Sequence, residues 1–132
     1  MFNSELIQKL SKLKTPFYFY DLDLLDKTIL SLKESLDPNY NVYYAIKANN
    51  NSKIIKLIKG HDLGIDAVSG EEINKSLNNS INPKKIVFAG VGKTKDEIIF
   101  AIKKKIYLFN CESFDEISLI DKISHEFNVR TK

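Results

Sequence analysis

The sequence has a single cysteine, Cys111, and no Cys or His beside it at metal-ligand spacing. An internal disulfide framework and a thiolate metal site are thereby excluded, and a reducing compartment is expected. Cys111 itself reads as a core or strand-end residue. No segment approaches the ~18 uninterrupted apolar residues of a membrane span. The N-terminal MFNSELIQKLSKLK mixes acid and amide residues with its apolar ones and lacks both an h-region and a small-residue cleavage site. It does not resemble a signal peptide, and a cytoplasmic location is expected. An excess of one charge is also missing: 20 basic residues face 17 acidic ones, a net charge of +3. The only basic run, Lys103-Lys104-Lys105, reads as a solvated helix end. Without a basic face interleaved with aromatics, no nucleic-acid partner is expected, and without an apolar span, no membrane partner. No low-complexity linker or internal repeat stands out beyond the alternation described next.

What is present is globular. Hydrophobic residues make up 43% and charged residues 28% of 132 positions, enough for one domain with a real core and too little for two. From Asn41 onward strand-like and helix-like stretches alternate. VYYAIK (42–47) precedes SKIIKLIKG, where Ser52 is expected as N-cap and Gly60 as C-cap. LGIDAV (63–68) precedes a helix opened by Ser69-Gly70-Glu71-Glu72 and running through Leu77. KIVFAG (85–90) precedes an amphipathic helix over 95–104. IYLFN (106–110) precedes a helix with a Ser113/Glu116 capping box, ending near Phe127.

Four βα units predict an α/β fold with a parallel sheet and right-handed crossovers. An open doubly wound sheet and a (β/α)8 barrel both fit this pattern. A complete barrel needs ~250 residues, so half of one would be here, with the fourth strand left as an unpaired edge. Residues 1–40 differ. They read as a helix over 4–13, a break at Thr15-Pro16, an aromatic strand over 17–20, and a helix over 24–36 capped by Asp23. Two segments, 1–40 and 41–132, are expected to meet near Pro38-Asn39.

The stretch VFAGVGKTKDE invites comparison with a phosphate-binding loop. That motif, G-x-x-x-x-G-K-[ST], would place its first glycine where this chain has Val87. Without that glycine the ring of backbone N–H groups cannot close around a phosphate. The stretch reads instead as glycines turning a βα corner beside a solvent-exposed Lys93.

Lys47 ends an otherwise apolar run. Alternation puts Tyr43, Ala45 and Lys47 on one face and Val42, Tyr44 and Ile46 on the other, as in a strand covered on both sides. Functional groups in parallel α/β folds gather at the C-terminal ends of the strands, where Lys47, Asp66, Gly90 and Asn110 fall. A lysine on an enclosed wall is either paired or used, because an unpaired buried ammonium costs several kcal/mol. Used, its amine attacks carbonyls; otherwise it snorkels to solvent.

Five stretches, TPFYFYDLD (15–23), YYAIKAN (43–49), GIDAVSGEE (64–72), VFAGVGKT (87–94) and LFNCES (108–113), occur in a distinctive order and spacing. In these the chain resembles the N-terminal portion of the diaminopimelate decarboxylases, pyridoxal 5'-phosphate enzymes of the fold type III group that also holds alanine racemase and ornithine/arginine-type decarboxylases. The resemblance implies a partial (β/α)8 barrel of the alanine racemase type and a carboxy-lyase making L-lysine and CO2 from meso-diaminopimelate. Related decarboxylases of ornithine, arginine or lysine, and a non-catalytic cofactor-binding remnant, are the alternatives. By the same resemblance Lys47 matches the lysine that carries the cofactor. Asp66 matches an aspartate near the cofactor on the next strand, with Gly64 keeping that wall low. Complete members are expected to be homodimers.

The family's stacking histidine, glycine-rich phosphate grips, acidic partner of the ring nitrogen and substrate-binding residues fall outside this sequence, and neither His61 nor His125 occupies the histidine's position. The chain is therefore expected to be a truncated member or a fragment, with an aromatic 17–20 strand that has no sheet to join.

Overall fold

Aromatic and β-branched residues mark four short stretches, and each becomes a strand. The structure, a computed structural model, describes residues 4–132. Its strands are β1 (Tyr43–Ala45), β2 (Gly64–Ala67), β3 (Ile86–Phe88) and β4 (Leu108–Phe109). They form one sheet in the order β1-β2-β3-β4, every pair parallel. Helices α1 (Ser4–Leu10) and α2 (Leu22–Ser35) precede the sheet. Helices α3 (Ser52–Gly60), α4 (Gly70–Asn78), α5 (Lys95–Lys104) and α6 (Phe114–Glu126) follow the four strands in turn. Four consecutive βα units with neighbouring strands in sequence order are successive staves of a (β/α)8 barrel.

Register divides the sheet into two faces. Ile65, Ala67, Ile86 and Phe88 are fully buried and Phe109 nearly so, packed with Ile54, Ile55, Ile73, Ile98 and Ile123 of the helices. Each such isoleucine contributes about 1.5–3 kcal/mol by leaving water. The opposite face carries Tyr43 against Gly64, Ala45 against Asp66, Asp66 against Val87, and Val87 against Leu108. This inner face is only partly covered: Tyr43, Ala45, Asp66 and Leu108 are half-buried. Gly64 is needed here for a close approach, because the Tyr43 ring lies over it and an added Cβ would stand 2.9 Å from the Lys85 carbonyl oxygen.

Several boundaries differ from expectation for local reasons. The first strand stops at Ala45, and Ile46–Ala48 forms a 3-10 turn. Lys47 is thus a turn residue, not the end of a strand. Asn51, not Ser52, caps α3, its side chain accepting from the Lys53 N–H at 2.9 Å. Gly60 is the last residue of that helix, and His61 follows as its cap. Asp21, not Asp23, caps α2 through the Leu24 N–H, three residues on, at 2.9 Å. The first helix ends at Leu10, short of the expected span.

Residues 17–20 form no strand and are exposed, with Tyr18 stacked on Tyr20 at 6.4 Å. A lone aromatic segment has no ladder to complete. The outer edge of β4, expected to be unpaired, is paired at one point, because the Phe109 N–H donates to the Lys132 carbonyl at 2.9 Å. The Lys132 ammonium lies 5.2 Å from the Tyr107 ring centroid.

Candidate functional site

The C-terminal ends of the strands open onto one rim, and the loops there divide by how they are held. In the first, Ile46 is fully buried and anchors the turn from inside. The Tyr44 hydroxyl donates to the Asn49 carbonyl at 3.0 Å, and the Asn49 side chain accepts from the Asn51 N–H at 3.0 Å. Lys47 lies between these anchors, exposed, with no hydrogen bond or ion pair among the described residues. A fixed backbone thus presents a free amine.

Asp66 lies on the neighbouring strand, opposite Ala45. Its Oδ1 is buried and reached by no donor among the described residues. Burial raises its pKa above the ordinary carboxylate value, and the charge of nearby Lys47 opposes that rise. An uncompensated buried carboxylate oxygen is expensive to leave alone, and Lys47 is the cation that the sequence sets beside it. The structure therefore brings both expected site residues to the same rim. The cleft of about 540 Å³ lined by Lys33, Tyr40, Tyr43, Lys84 and Tyr107 lies at the other end of the sheet, beneath the strand N-termini, away from this chemistry.

The later loops are clamped by carboxylates. Helices α4, α5 and α6 are capped by Ser69, Thr94 and Ser113, and each has a glutamate as its third residue: Glu72, Glu97 and Glu116. Glu72 accepts from the Val68 N–H at 2.7 Å within its own loop. Glu97 completes a capping box with Thr94 and also accepts from the Gly70 N–H at 2.8 Å, across to the preceding unit. Those hydrogen bonds, the one from Gly70 first, hold the Glu97 pKa below the usual carboxylate range.

Glu116 departs from the expected capping box. Ser113 accepts from its N–H at 3.1 Å, but its carboxylate turns away, to the Glu112 N–H at 3.3 Å and to the Lys93 ammonium at 2.6 Å. Lys93 is correspondingly not the solvent-exposed residue expected from its loop. Its side chain is 0% exposed, drawn inward by that carboxylate and two backbone carbonyls. The glycine corner itself stands, with Gly90 at φ +95°. Sequence reading missed Lys93, Glu97 and Glu116 as parts of the rim. The recurring S-G-E-E, T-K-D-E and S-F-D-E at positions 69, 94 and 113 was the available signal.

Residues 22–132 match the family described as pyridoxal-dependent decarboxylase, pyridoxal binding domain. The chain belongs to this family. It is 39% identical over 120 residues to the diaminopimelate decarboxylase of Bacteroides thetaiotaomicron, covering 89% of this chain and 31% of that protein. The crystal structure of the Helicobacter pylori diaminopimelate decarboxylase complexed with L-lysine superimposes with a TM-score of 0.88 at 37% identity, covering 95% of this chain and 32% of that one. The arginine decarboxylase of Paramecium bursaria Chlorella virus is more distant, at 26% identity and a TM-score of 0.68 over 75% of this chain and 27% of its own. The chain thus spans about a third of the length of these relatives. Its four βα units are a partial barrel of the family's kind.

The residues present fit one part of pyridoxal phosphate. An aldehyde needs an amine without internal partners, which Lys47 offers, and the orphaned Asp66 oxygen offers an acceptor on the adjacent strand. The phosphate finds no counterpart in the one lysine of the glycine corner, since the Lys93 ammonium donates to the Gly90 and Asn110 carbonyls and is ion-paired with Glu116 Oε1.

Proposed function

We propose that this chain provides the cofactor-carrying side of a pyridoxal-phosphate-dependent decarboxylase acting on meso-diaminopimelate, with L-lysine and CO2 as products. The observation that carries the reading is Lys47, an exposed amine on an anchored turn with no hydrogen bond or salt bridge among the described residues, near the buried Asp66 oxygen that no donor among them reaches. When bound, pyridoxal phosphate supplies an electron sink for the charge left as CO2 departs. Lys47 holds its aldehyde carbon by the amine, and Asp66 sets the electrostatics of the adjoining wall. Ala45, small and directly opposite Asp66, leaves room for a flat ring. Identity to named diaminopimelate decarboxylases supports that substrate over ornithine, arginine or lysine. The rest of the site comes from a C-terminal portion like that of the relatives, in a homodimer. The single cysteine and the absence of a long apolar helix among the described residues support a cytoplasmic setting.

Borohydride reduction in the presence of pyridoxal phosphate, followed by peptide mass mapping, tests the first half. A pyridoxyl group should sit on Lys47 and vanish in Lys47→Ala; equal labelling of scattered lysines would defeat the reading. Weak, reversible capture without turnover is expected from the 132-residue chain. Adding the C-terminal two-thirds of the Helicobacter pylori relative, fused or separate, should produce lysine from meso-diaminopimelate. Faster release of CO2 from ornithine or arginine would move the assignment to the related decarboxylases, and a correctly folded assembly that captures cofactor without any turnover would favour the non-catalytic remnant.

A further inference from the structure

The Lys93 ammonium donates to the Gly90 carbonyl at 2.7 Å and to the Asn110 carbonyl at 2.8 Å, and its third contact is Glu116 Oε1 at 2.6 Å. It also lies 5.5 Å from the Phe88 ring centroid. Glu116 Oε1 is buried and accepts no hydrogen bond among the described residues, so its tie to the Lys93 ammonium is one of charge. Two loops that leave adjacent strands are thereby gathered at one point. A well-packed apolar side chain could fill this space at similar or better stability, but it could not draw two carbonyl oxygens together. Stability alone does not call for a lysine here.

The gathered point leads to Asp66. Gly90 takes a left-handed conformation, and a Cβ there would stand 3.3 Å from the Val68 Cβ, so its backbone abuts the end of β2. The Ala89 N–H donates to the Ala67 carbonyl at 2.8 Å, one residue beyond Asp66. On the other side the Asn110 N–H donates to the Phe88 carbonyl at 2.9 Å. Lys93 thus closes a path from the β4 rim through Gly90 to the strand that carries Asp66.

We propose that Lys93 is a positioning residue: by clasping the Gly90 and Asn110 carbonyls it holds the rim wall that keeps Asp66 sheltered beside Lys47. Its bearing on the cofactor rests on the function proposed above, whereas the clasp and the shelter do not.

Three measurements on the 132-residue chain separate these roles in Lys93→Met and in the double variant Lys93→Met/Glu116→Met. Lys93→Met strands the Glu116 carboxylate, so the melting temperature falls; the double variant removes that buried charge, so melting returns toward the parent. The Asp66 carboxyl, followed by 13C NMR across pH, should titrate above the ordinary carboxylate range in the parent and move down toward it in both variants, because the unclasped wall admits water. The pyridoxal phosphate concentration needed to half-label Lys47 should rise in both. An Asp66 titration in the folded double variant that matches the parent would overturn the proposal and leave Lys93 a stabilising ion pair only. Absence of Lys47 labelling in the parent would count against the cofactor reading, and the Asp66 titration would still decide the role of Lys93.

Discussion

The loop after β1 and the three loops after it are built on the same βα corner and held by different chemistry. The first has no acid in the opening turn of its helix, and neutral groups, Asn49, Asn51 and the Tyr44 hydroxyl, hold it in place. The others each have two acids in that turn, and their glutamates grip backbone N–H groups or the Lys93 ammonium. The difference teaches how a reactive amine is kept available. A carboxylate clamp beside Lys47 would pair with it, whereas asparagine oxygens order the backbone and leave the amine free. The one lysine placed among the carboxylates, Lys93, is fully engaged.

The largest effect that would sharpen this contrast is at the two lysines. Lys47→Ala should abolish borohydride-fixed pyridoxal incorporation while leaving the free energy of urea unfolding within about 0.5 kcal/mol of the parent, since the exposed side chain makes no hydrogen bond or salt bridge among the described residues. A marked loss of stability would mean that the first loop depends on its lysine after all.

Next in size, Glu116→Leu leaves the buried Lys93 ammonium with two carbonyls and no counter-charge. It should cost about 3 kcal/mol in urea unfolding, the scale of a buried pair broken from one side. A neutral result would reduce the Lys93 cluster to a surface ion pair.

Glu97→Ala should cost about 1–2 kcal/mol at neutral pH, because both the capping box and the bond to Gly70 are lost. The sign of its pH dependence is set by its lowered pKa. The parent holds this contribution in full above the unfolded value of ~4.3 and loses it as pH falls through the folded value, so the two proteins converge in acid. Asn51→Ala, the neutral counterpart in the first loop, should cost about 1 kcal/mol with no such convergence. Melting curves across pH distinguish the two.

The smallest change is expected at Asp66. Its raised pKa means that the protonated form suits the fold, a contribution full below the unfolded value of ~3.9 and lost as pH rises through the folded one. Asp66→Asn should therefore stabilise slightly at neutral pH, by up to about 1 kcal/mol, and change little in acid. Destabilisation at neutral pH would reveal an attractive pairing with Lys47 that outweighs burial.

What the sequence determined by itself is what depends on near neighbours. Apolar alternation at Val42–Tyr44, Ile65 and Ile86–Phe88 set where the strands lie, and helices of about three turns between them imposed parallel pairing in chain order. The caps at Ser69 and Ser113 are bonds across three residues and were legible for that reason. So was the placement of Lys47 and Asp66 near the C-terminal ends of their strands. Tertiary structure alone decided what spans units. The Glu97 bond to Gly70 joins residues 27 apart, and the Lys93 bond to Asn110 joins residues 17 apart. Both exist because parallel register sets consecutive rim loops side by side, a closeness that no local spacing encodes. The same reason explains Lys93, which reads as a solvated loop lysine in the chain and becomes buried only when the next loop brings it a carboxylate and a carbonyl.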